Sequence, residues 1–161
     1  MKRWLAAFFA GLLLLLSSCS FLNSAYDTLD YVKDAKNYLE KVSQFSNEIP
    51  PLITQAAESQ TAANDLKTKL LQMKKEIESF NSLKVPETAA EFHQQIIQQN
   101  ALLADQIDIY LKNIMDGKLD PSLLEEANEL LQPIKEIKSI VEQLQKLGAQ
   151  VQETLGSKRS A

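Results

Sequence analysis

The chain has 161 residues, a formal net charge of −4, one cysteine and one histidine. Its length suits a single domain. A lone Cys and a lone His exclude a zinc site built from several such ligands within one chain. The mildly acidic balance argues against nucleic-acid binding, which needs clustered Lys and Arg to contact phosphates.

The first eighteen residues have the three-part layout of a secretory signal peptide. Lys2 and Arg3 give a positively charged start, and an uncharged apolar stretch follows over residues 4–16. As a helix this stretch would span only about 20 Å, short of the roughly 30 Å hydrocarbon core of a bilayer. We therefore expect cleavage, and an uncleaved signal anchor is the alternative.

The stretch Leu16-Ser17-Ser18-Cys19 ends this segment. It resembles the lipobox of bacterial lipoproteins, in which an apolar residue and two small residues precede an obligatory cysteine. The resemblance implies that Cys19 carries an S-diacylglycerol group, becomes the N-terminus of the mature chain and takes up palmitate label. Two acyl chains make a stable membrane anchor where one would be marginal.

We expect cleavage to remove a lipoprotein signal peptide (1–18). The mature chain then consists of a helical bundle domain (19–148) and a flexible C-terminal tail (149–161). Loss of Lys2 and Arg3 leaves 15 basic and 21 acidic side chains, a net charge of −6. This charge argues against electrostatic adhesion of the body to anionic lipid. The lipid is therefore expected to hold the protein to the membrane.

The mature part is predicted to be all-α, because helix formers dominate it and no alternating strand pattern with hairpin turn signals is present. We predict four helices, over residues 22–46, 51–80, 86–115 and 121–148. Their length and short connections favour an antiparallel, up-down-up-down four-helix bundle with coiled-coil-like spacing, about 40 Å long. The start of the first helix and the end of the fourth would both lie at the membrane.

Prolines and glycines mark the expected helix ends. Pro51 suits the first turn of the second helix, Gly117 the left-handed residue after the third, and Asp120 the N-cap of the fourth. The apolar phase continues through Pro133, which predicts a kinked helix. Fraying is expected to begin at Gly148.

Apolar residues at three- and four-residue steps predict the core. They are Leu22, Ala25, Leu29, Val32, Leu39 and Val42 in the first helix; Ala56, Ala63, Leu66, Leu70, Met73, Ile77 and Phe80 in the second; Ala89, Ile96, Leu103 and Tyr110, then Ala90, Ile97, Ala104 and Leu111, and between these two rows Ile107 and Ile114 in the third; and Leu123, Ala127, Leu130, Ile134, Ile137, Val141 and Leu144 in the fourth. Tyr31, Tyr38 and Phe45, seven apart, form an aromatic line along one edge of the first stripe. We expect this line to pack against a neighbouring helix, and a peptide- or saccharide-contact surface is the alternative.

His93 and Asn100 lie one heptad apart on an apolar row and form a candidate polar core pair. A buried polar pair can fix helix register; a small polar ligand pocket is the alternative. A di-metal bundle site needs two Glu-x-x-His elements, so no metal is expected. Asp65 with Lys69, and Asp108 with Lys112, are spaced as ordinary helix-surface pairs.

Four glutamines on the third helix form a neutral polar face, Gln94, Gln95, Gln98 and Gln99. A solvated face is the expected role, and a docking face for a partner helix is the alternative. The sequence contains no Gly-rich phosphate loop and no defensible catalytic triad. We therefore expect no catalytic residue and no cofactor.

The chain as a whole resembles a family of small lipoproteins of Bacillus-type Gram-positive bacteria, a domain of unknown function. The resemblance covers most of the chain and rests on the segments 19–24, 29–32, 47–50, 77–81, 92–96 and 117–121, read as CSFLNS, LDYV, NEIP, IESFN, FHQQI and GKLDP. It implies a location on the outer face of the cytoplasmic membrane and lends no catalytic residue.

We rank three hypotheses for the function. The first hypothesis is a non-enzymatic, lipid-anchored helical module that binds an envelope protein or acts as a spacer. The second is a carrier that binds a small or lipidic ligand between its helices. An enzyme ranks third.

Overall fold

The computed structural model describes the backbone of residues 2–159 and the side chains of residues 24–157. The elements are α1 (Lys2–Ala56), α2 (Gln60–Asn81), a 3-10 turn (Glu87–Ala89), α3 (Ala90–Lys112), β1 (Ile114–Met115), β2 (Lys118–Leu119), a second 3-10 turn (Pro121–Leu124) and α4 (Ala127–Arg159). The prediction of an all-α bundle is confirmed.

The predicted break between the first two helices is wrong, because α1 continues through Pro50 and Pro51 to Ala56. Each proline removes one backbone hydrogen bond and crowds the preceding turn. Ile49 and Ile53 are 0% and 1% exposed, so the apolar stripe is continued across both prolines. We attribute the continuity of α1 to this burial.

The helix break instead lies at residues 57–59, before α2. Ser59 is the N-cap of α2. Its backbone is extended, and its side-chain oxygen accepts a hydrogen bond from the Ala62 amide at 3.4 Å. This geometry satisfies one of the amides that a helix start leaves without an intrahelical partner. The second helix therefore begins nine residues later than Pro51.

A small β-hairpin follows α3 and corrects two predictions. Ile114 pairs with Leu119 in antiparallel register, and the turn residues Asp116 and Gly117 have φ angles of 52° and 78°. Two consecutive positive φ angles at Asp-Gly are typical of the tight hairpin turn. Gly117 is thus left-handed as predicted, but as a hairpin residue and not as a helix cap, and the expectation of no hairpin signal is wrong.

The start of α4 also differs from the prediction. Asp120 caps the 3-10 turn Pro121–Leu124 by accepting a hydrogen bond from the Ser122 amide at 2.9 Å, and α4 itself begins at Ala127. The helix passes through Pro133 as predicted; the kink stays a prediction. It also passes through Gly148 to Arg159, so the predicted fraying at Gly148 is wrong.

Gly148 is buried because it lies against α1. A Cβ atom at this position would lie 3.1 and 3.2 Å from the two methyl carbons of Val32. Since glycine has no Cβ, the backbones of α1 and α4 can approach closely here. The mobility of residues 149–161 stays a prediction, and the side chains from residue 158 onward lie outside the described part.

Ion pairs give the direction of the first two helices. The Lys41 ammonium contacts the Glu76 carboxylate at 2.5 Å, and the Lys69 ammonium contacts Glu48 at 2.6 Å. The residue later in α1 pairs with the residue earlier in α2, so the two helices are antiparallel. The prediction paired Lys69 with Asp65 of its own helix. Lys69 instead contacts Glu48 of α1.

The remaining contacts complete the up-down-up-down order. Tyr31 and Tyr38 of α1 contact residues 93 and 100 of α3, so these two helices are parallel and lie diagonally across the bundle. Val32 of α1 faces Gly148 near the far end of α4, which makes α4 antiparallel to α1. The first described turns of α1, the α2–α3 loop and the C-terminal part of α4 thus meet at one end of the bundle, called here the anchor end.

Most of the predicted apolar rows of α2, α3 and α4 form the core, while the buried face of α1 differs from its prediction. Of the predicted residues in α3, α4 and the segment between them, Ala90 is exposed and the following are only partly buried: Ile97, Ala104, Leu111, Ile114 and Ala127. Leu29, Val32 and Leu39 are only partly buried. The fully buried positions of α1 include Ala25, Thr28, Tyr31, Ala35, Tyr38, Val42 and Phe45. The aromatic line therefore lies at the centre of the buried face and not along its edge, and Leu22 lies outside the described side chains.

Candidate functional site

Five side chains form a buried polar and aromatic cluster toward the anchor end of the bundle. Tyr31 and Tyr38 come from α1, Phe80 from the last turn of α2, and His93 and Asn100 from α3. They are between 0% and 5% exposed. The cluster is therefore part of the core and not a surface cleft.

Hydrogen bonds join the two diagonal helices inside this cluster. The Tyr31 hydroxyl lies 2.9 Å from Nδ1 of His93, and the Tyr38 hydroxyl donates to Oδ1 of Asn100 at 2.5 Å. Nδ2 of Asn100 donates in turn to Oδ1 of Asn81 at 2.7 Å, which ties the end of α2 into the network. Each polar group that the core buries here has a partner, as buried amides and hydroxyls require.

Phe80 packs between the polar groups. Its ring stacks on Tyr38 at a centroid distance of 4.3 Å and an interplanar angle of 21°, and it lies 5.3 Å from the His93 ring. Tyr31 meets His93 edge-on at 5.8 Å. Offset and edge-to-face contacts of this kind add to the stabilisation that burial alone gives.

Burial keeps the cluster uncharged. It lowers the pKa of His93 below the ordinary 6.5, against a smaller opposing effect of a hydrogen bond with the Asn81 backbone. Burial also raises the pKa of Tyr31 and of Tyr38 well above 10. A neutral imidazole with its N–H on Nε2 leaves Nδ1 as an acceptor, and in this tautomer the Tyr31 hydroxyl donates to Nδ1.

The sequence placed His93 and Asn100 together on one row, and the structure buries both. Their side chains do not hydrogen-bond to each other, because each bonds to the hydroxyl of a tyrosine of α1. The alternative that the aromatic line forms a contact surface is contradicted, because Tyr31, Tyr38 and Phe45 are 2%, 4% and 5% exposed. The tyrosine partners were missed, although both rows repeat at the same seven-residue interval.

A surface groove lies between α1 and α2, and none of the five cluster residues lines it. It has a volume of about 240 Å³, and Phe45 and Met73 are among its lining residues. The ion pairs Lys41–Glu76 and Lys69–Glu48 also line it, and hydrogen bonds from Lys69 and Gln44 lower the pKa of the Glu48 carboxyl. Exposed pairs of this kind contribute little to stability, and their charges are already satisfied by each other.

Metal-ligating side chains are not gathered anywhere in the described part of the chain. No group of three or more His, Cys, Asp or Glu is placed there to hold a metal ion.

The predicted surface pair of Asp108 with Lys112 is not formed, since the Asp108 carboxylate contacts the Lys74 ammonium of α2 at 2.7 Å.

The model of one family matches residues 31–147 of the chain, a span that includes the whole buried cluster. Its description is a family of unknown function, DUF6376. The chain belongs to this family. A relative from Bacillus subtilis (strain 168), the uncharacterised lipoprotein YybP, is 34% identical over 136 residues, which cover 84% of this chain and 91% of the relative. No solved structure matches the chain.

The predicted lipidation site of this DUF6376 protein lies outside the described side chains. Leu16, Ser17, Ser18 and Cys19 all precede residue 24. Among the residues that the structure describes, no helix is both long and apolar enough to span a bilayer. Lipidation at Cys19 therefore stays a prediction from the sequence.

Proposed function

We propose that this DUF6376 protein is a lipid-anchored, non-enzymatic helical module on the outer face of the cytoplasmic membrane. The observation that carries the proposal is Leu16-Ser17-Ser18-Cys19 at the end of a short apolar segment, in a chain whose Bacillus subtilis relative is described as a lipoprotein. The diacylglycerol on Cys19 holds the chain, and the bundle presents its surface to the cell envelope.

The geometry of the bundle supports a role as a spacer or a platform. Cys19 precedes Ser24, the first residue whose side chain the structure describes, by only five positions, so the anchor end lies next to the headgroups. From Ser24 to Ala56, α1 is about 48 Å long at 1.5 Å per residue. An upright bundle therefore holds its hairpin end roughly that far from the membrane.

The use of the polar core supports a non-enzymatic role. Nδ1 of His93 and the amide of Asn100 are engaged by Tyr31, Tyr38 and Asn81, and burial disfavours the charged form of the imidazole. A general base must reach a substrate proton directly or through one water. A histidine 5% exposed and bonded to a tyrosine is better suited to fixing helix positions.

The carrier hypothesis predicts a bound small molecule, and the grooves bear on it. The α1–α2 groove of about 240 Å³ is smaller than the roughly 300–1,000 Å³ of typical ligand pockets, whereas a more open groove of about 500 Å³ between α1 and α4, lined by Leu39 and Gln145 among others, is within that range. Volume therefore does not separate the two hypotheses. Native mass spectrometry of the protein purified without its lipid separates the two hypotheses. A carrier gives a mass above that of the chain; the module that we propose gives the mass of the chain alone.

Anchoring is tested in cells that express the full chain. Wild-type protein is expected to incorporate labelled palmitate and to sediment with membranes, and Cys19→Ala is expected to lose both properties. Ser20→Ala, which keeps the thiol, is the matched control and should behave as wild type. Palmitate label that survives Cys19→Ala, or wild-type protein in the soluble fraction, would refute the proposal.

A further inference from the structure

The outer face of α3 carries no charge over thirteen consecutive residues. From Phe92 to Ala104 the chain contains no Asp, Glu, Lys or Arg. The exposed positions in this stretch include Gln94, Gln95, Gln98 and Leu102. Leu102 is 53% exposed, although it is a large apolar side chain.

The outer faces of the other helices carry charges over most of their length, and the uncharged stretch at the end of α1, residues 49–57, is shorter. Exposed charged residues include Asp27, Asp30, Lys33 and Lys36 on α1, Asp65, Lys67, Lys75 and Glu78 on α2, and Lys135, Glu136, Lys138 and Glu142 on α4. Glu91 and Asp105 bound the uncharged face of α3 at its two ends. The neutral face is therefore a local feature of one helix.

Gln95, Gln98 and Leu102 follow one another at steps of three and four residues, which is the spacing of a helix-pair seam. A glutamine amide both donates and accepts hydrogen bonds, so a row of glutamines is complementary to itself. The body without its signal carries a net charge of −6, which opposes the approach of two copies through their charged faces. The uncharged face is where two copies meet with least repulsion, because only Glu91 and Asp105, at its two ends, bring like charges together.

We infer that the outer face of α3 between Gln94 and Leu102 is a self-association surface that joins two copies of this chain side by side on the membrane. The inference rests on the proposed anchoring. Both copies then stand in the same orientation, so the two α3 helices run in the same direction and a two-fold axis along the membrane normal relates them. Each residue near the seam faces its own counterpart in the second copy.

Membrane confinement is part of the inference. About three turns of one helix bury less surface than the roughly 800 Å² per partner of a stable soluble interface. Two anchors in one membrane raise the effective concentration of the copies without any new contact. We therefore expect dimers on membranes and monomers after the lipid is removed.

Cysteine cross-linking of the full chain in its own membranes tests this geometry. Cys19 is the natural cysteine and carries the lipid, so an introduced cysteine supplies the free thiol. Gln95→Cys, Gln98→Cys and Leu102→Cys are each expected to give a cross-linked dimer on mild oxidation. Lys138→Cys, at an exposed position on α4, is the matched control and should stay monomeric.

A charge variant tests the chemistry of the surface. Gln98→Glu, combined with Leu102→Cys, places like charges opposite each other and should reduce the dimer yield about tenfold. Gln98→Asn, which keeps a neutral amide, should preserve the yield. Equal yields from the two variants would overturn the inference.

The outcomes separate this inference from the proposed anchoring. Membrane-bound protein that gives no dimer above the Lys138→Cys control overturns the self-association surface and leaves the anchoring intact. A cross-linked product with the mass of a different protein also overturns it. Protein found in the soluble fraction overturns the anchoring and, with it, the inference.

Discussion

Removing the Tyr38 hydroxyl tests whether the buried hydrogen bonds hold the bundle together. In Tyr38→Phe the Oδ1 atom of Asn100, in a side chain that is 0% exposed, loses its donor. A buried polar group left without a partner costs about 1–3 kcal/mol. Asn100→Leu leaves the Tyr38 hydroxyl unpaired instead and should cost a similar amount.

The double variant Tyr38→Phe with Asn100→Leu distinguishes a bond from mere burial. It leaves neither of these two groups unsatisfied, so its cost should be smaller than the sum of the single costs by about 0.5–3 kcal/mol. Lys138→Gln, at an exposed position of α4, is the control. The control should change stability by less than about 0.5 kcal/mol.

The assay is urea unfolding of the chain without residues 1–19, followed by far-ultraviolet circular dichroism. Each kcal/mol should also move the thermal midpoint by about 2–4 °C for a domain of this size. A Tyr38→Phe variant as stable as wild type would refute the hydrogen bond as a stabilising contact. Strictly additive single costs would refute the coupling between α1 and α3.

The other predictions concern single residues. The pKa of His93 should be below 6.5 by NMR, where its signal is unambiguous because the chain has one histidine. Because the pKa is then higher in the unfolded chain than in the folded one, the unfolded chain takes up the proton at a higher pH. Stability is therefore lost as the pH falls below about 6.5. Gly156→Ala, with no atom within 4 Å of the new Cβ, should gain up to about 1 kcal/mol. Gly148→Ala should stabilise the protein less than Gly156→Ala, or destabilise it, as measured by thermal unfolding, because the new Cβ would lie 3.1 and 3.2 Å from the two Val32 methyl carbons. Adding Val32→Ala should remove this crowding and restore the stability. Gly117→Ala should cost about 1–2 kcal/mol in urea unfolding, because its φ is 78°.

Each of these has an outcome that contradicts it. A histidine midpoint at or above 6.5 would mean that the imidazole is solvated in solution. Equal effects of alanine at positions 148 and 156 would mean that α1 and α4 do not approach closely. A neutral Gly117→Ala would mean that the hairpin turn is not held in its left-handed conformation.

The core of α2 to α4 could be predicted because each helix carries one dominant apolar period. Leu66, Leu70 and Met73 of α2, for example, are at most 2% exposed. In α1 two periods compete, one of Leu and Val and one of Ala and Tyr. The second is buried because a tyrosine can span the bundle and still bond its hydroxyl, which requires a partner that only the fold supplies.

The break at Pro50-Pro51 was wrong for a related reason. Proline was taken as a start signal, whereas the apolar phase runs on through Ile49, Ile53 and Ala56. The same test of phase gave the right answer at Pro133. Burial of three side chains outweighs the lost hydrogen bonds, and the Thr54 hydroxyl adds a bond to the Pro50 carbonyl at 3.3 Å.

The paired seven-residue intervals also fix the register of the bundle. If α3 moved one heptad along α1 in one direction, Asn100 would face Phe45 and lose its donor. In the other direction Tyr38 would face Ile107, and its hydroxyl would be buried without an acceptor. Either shift leaves a buried polar group unsatisfied, at about 1–3 kcal/mol each. A purely apolar core would permit such sliding more readily, so the polar cluster specifies one register of α1 against α3 and thereby one length of the bundle.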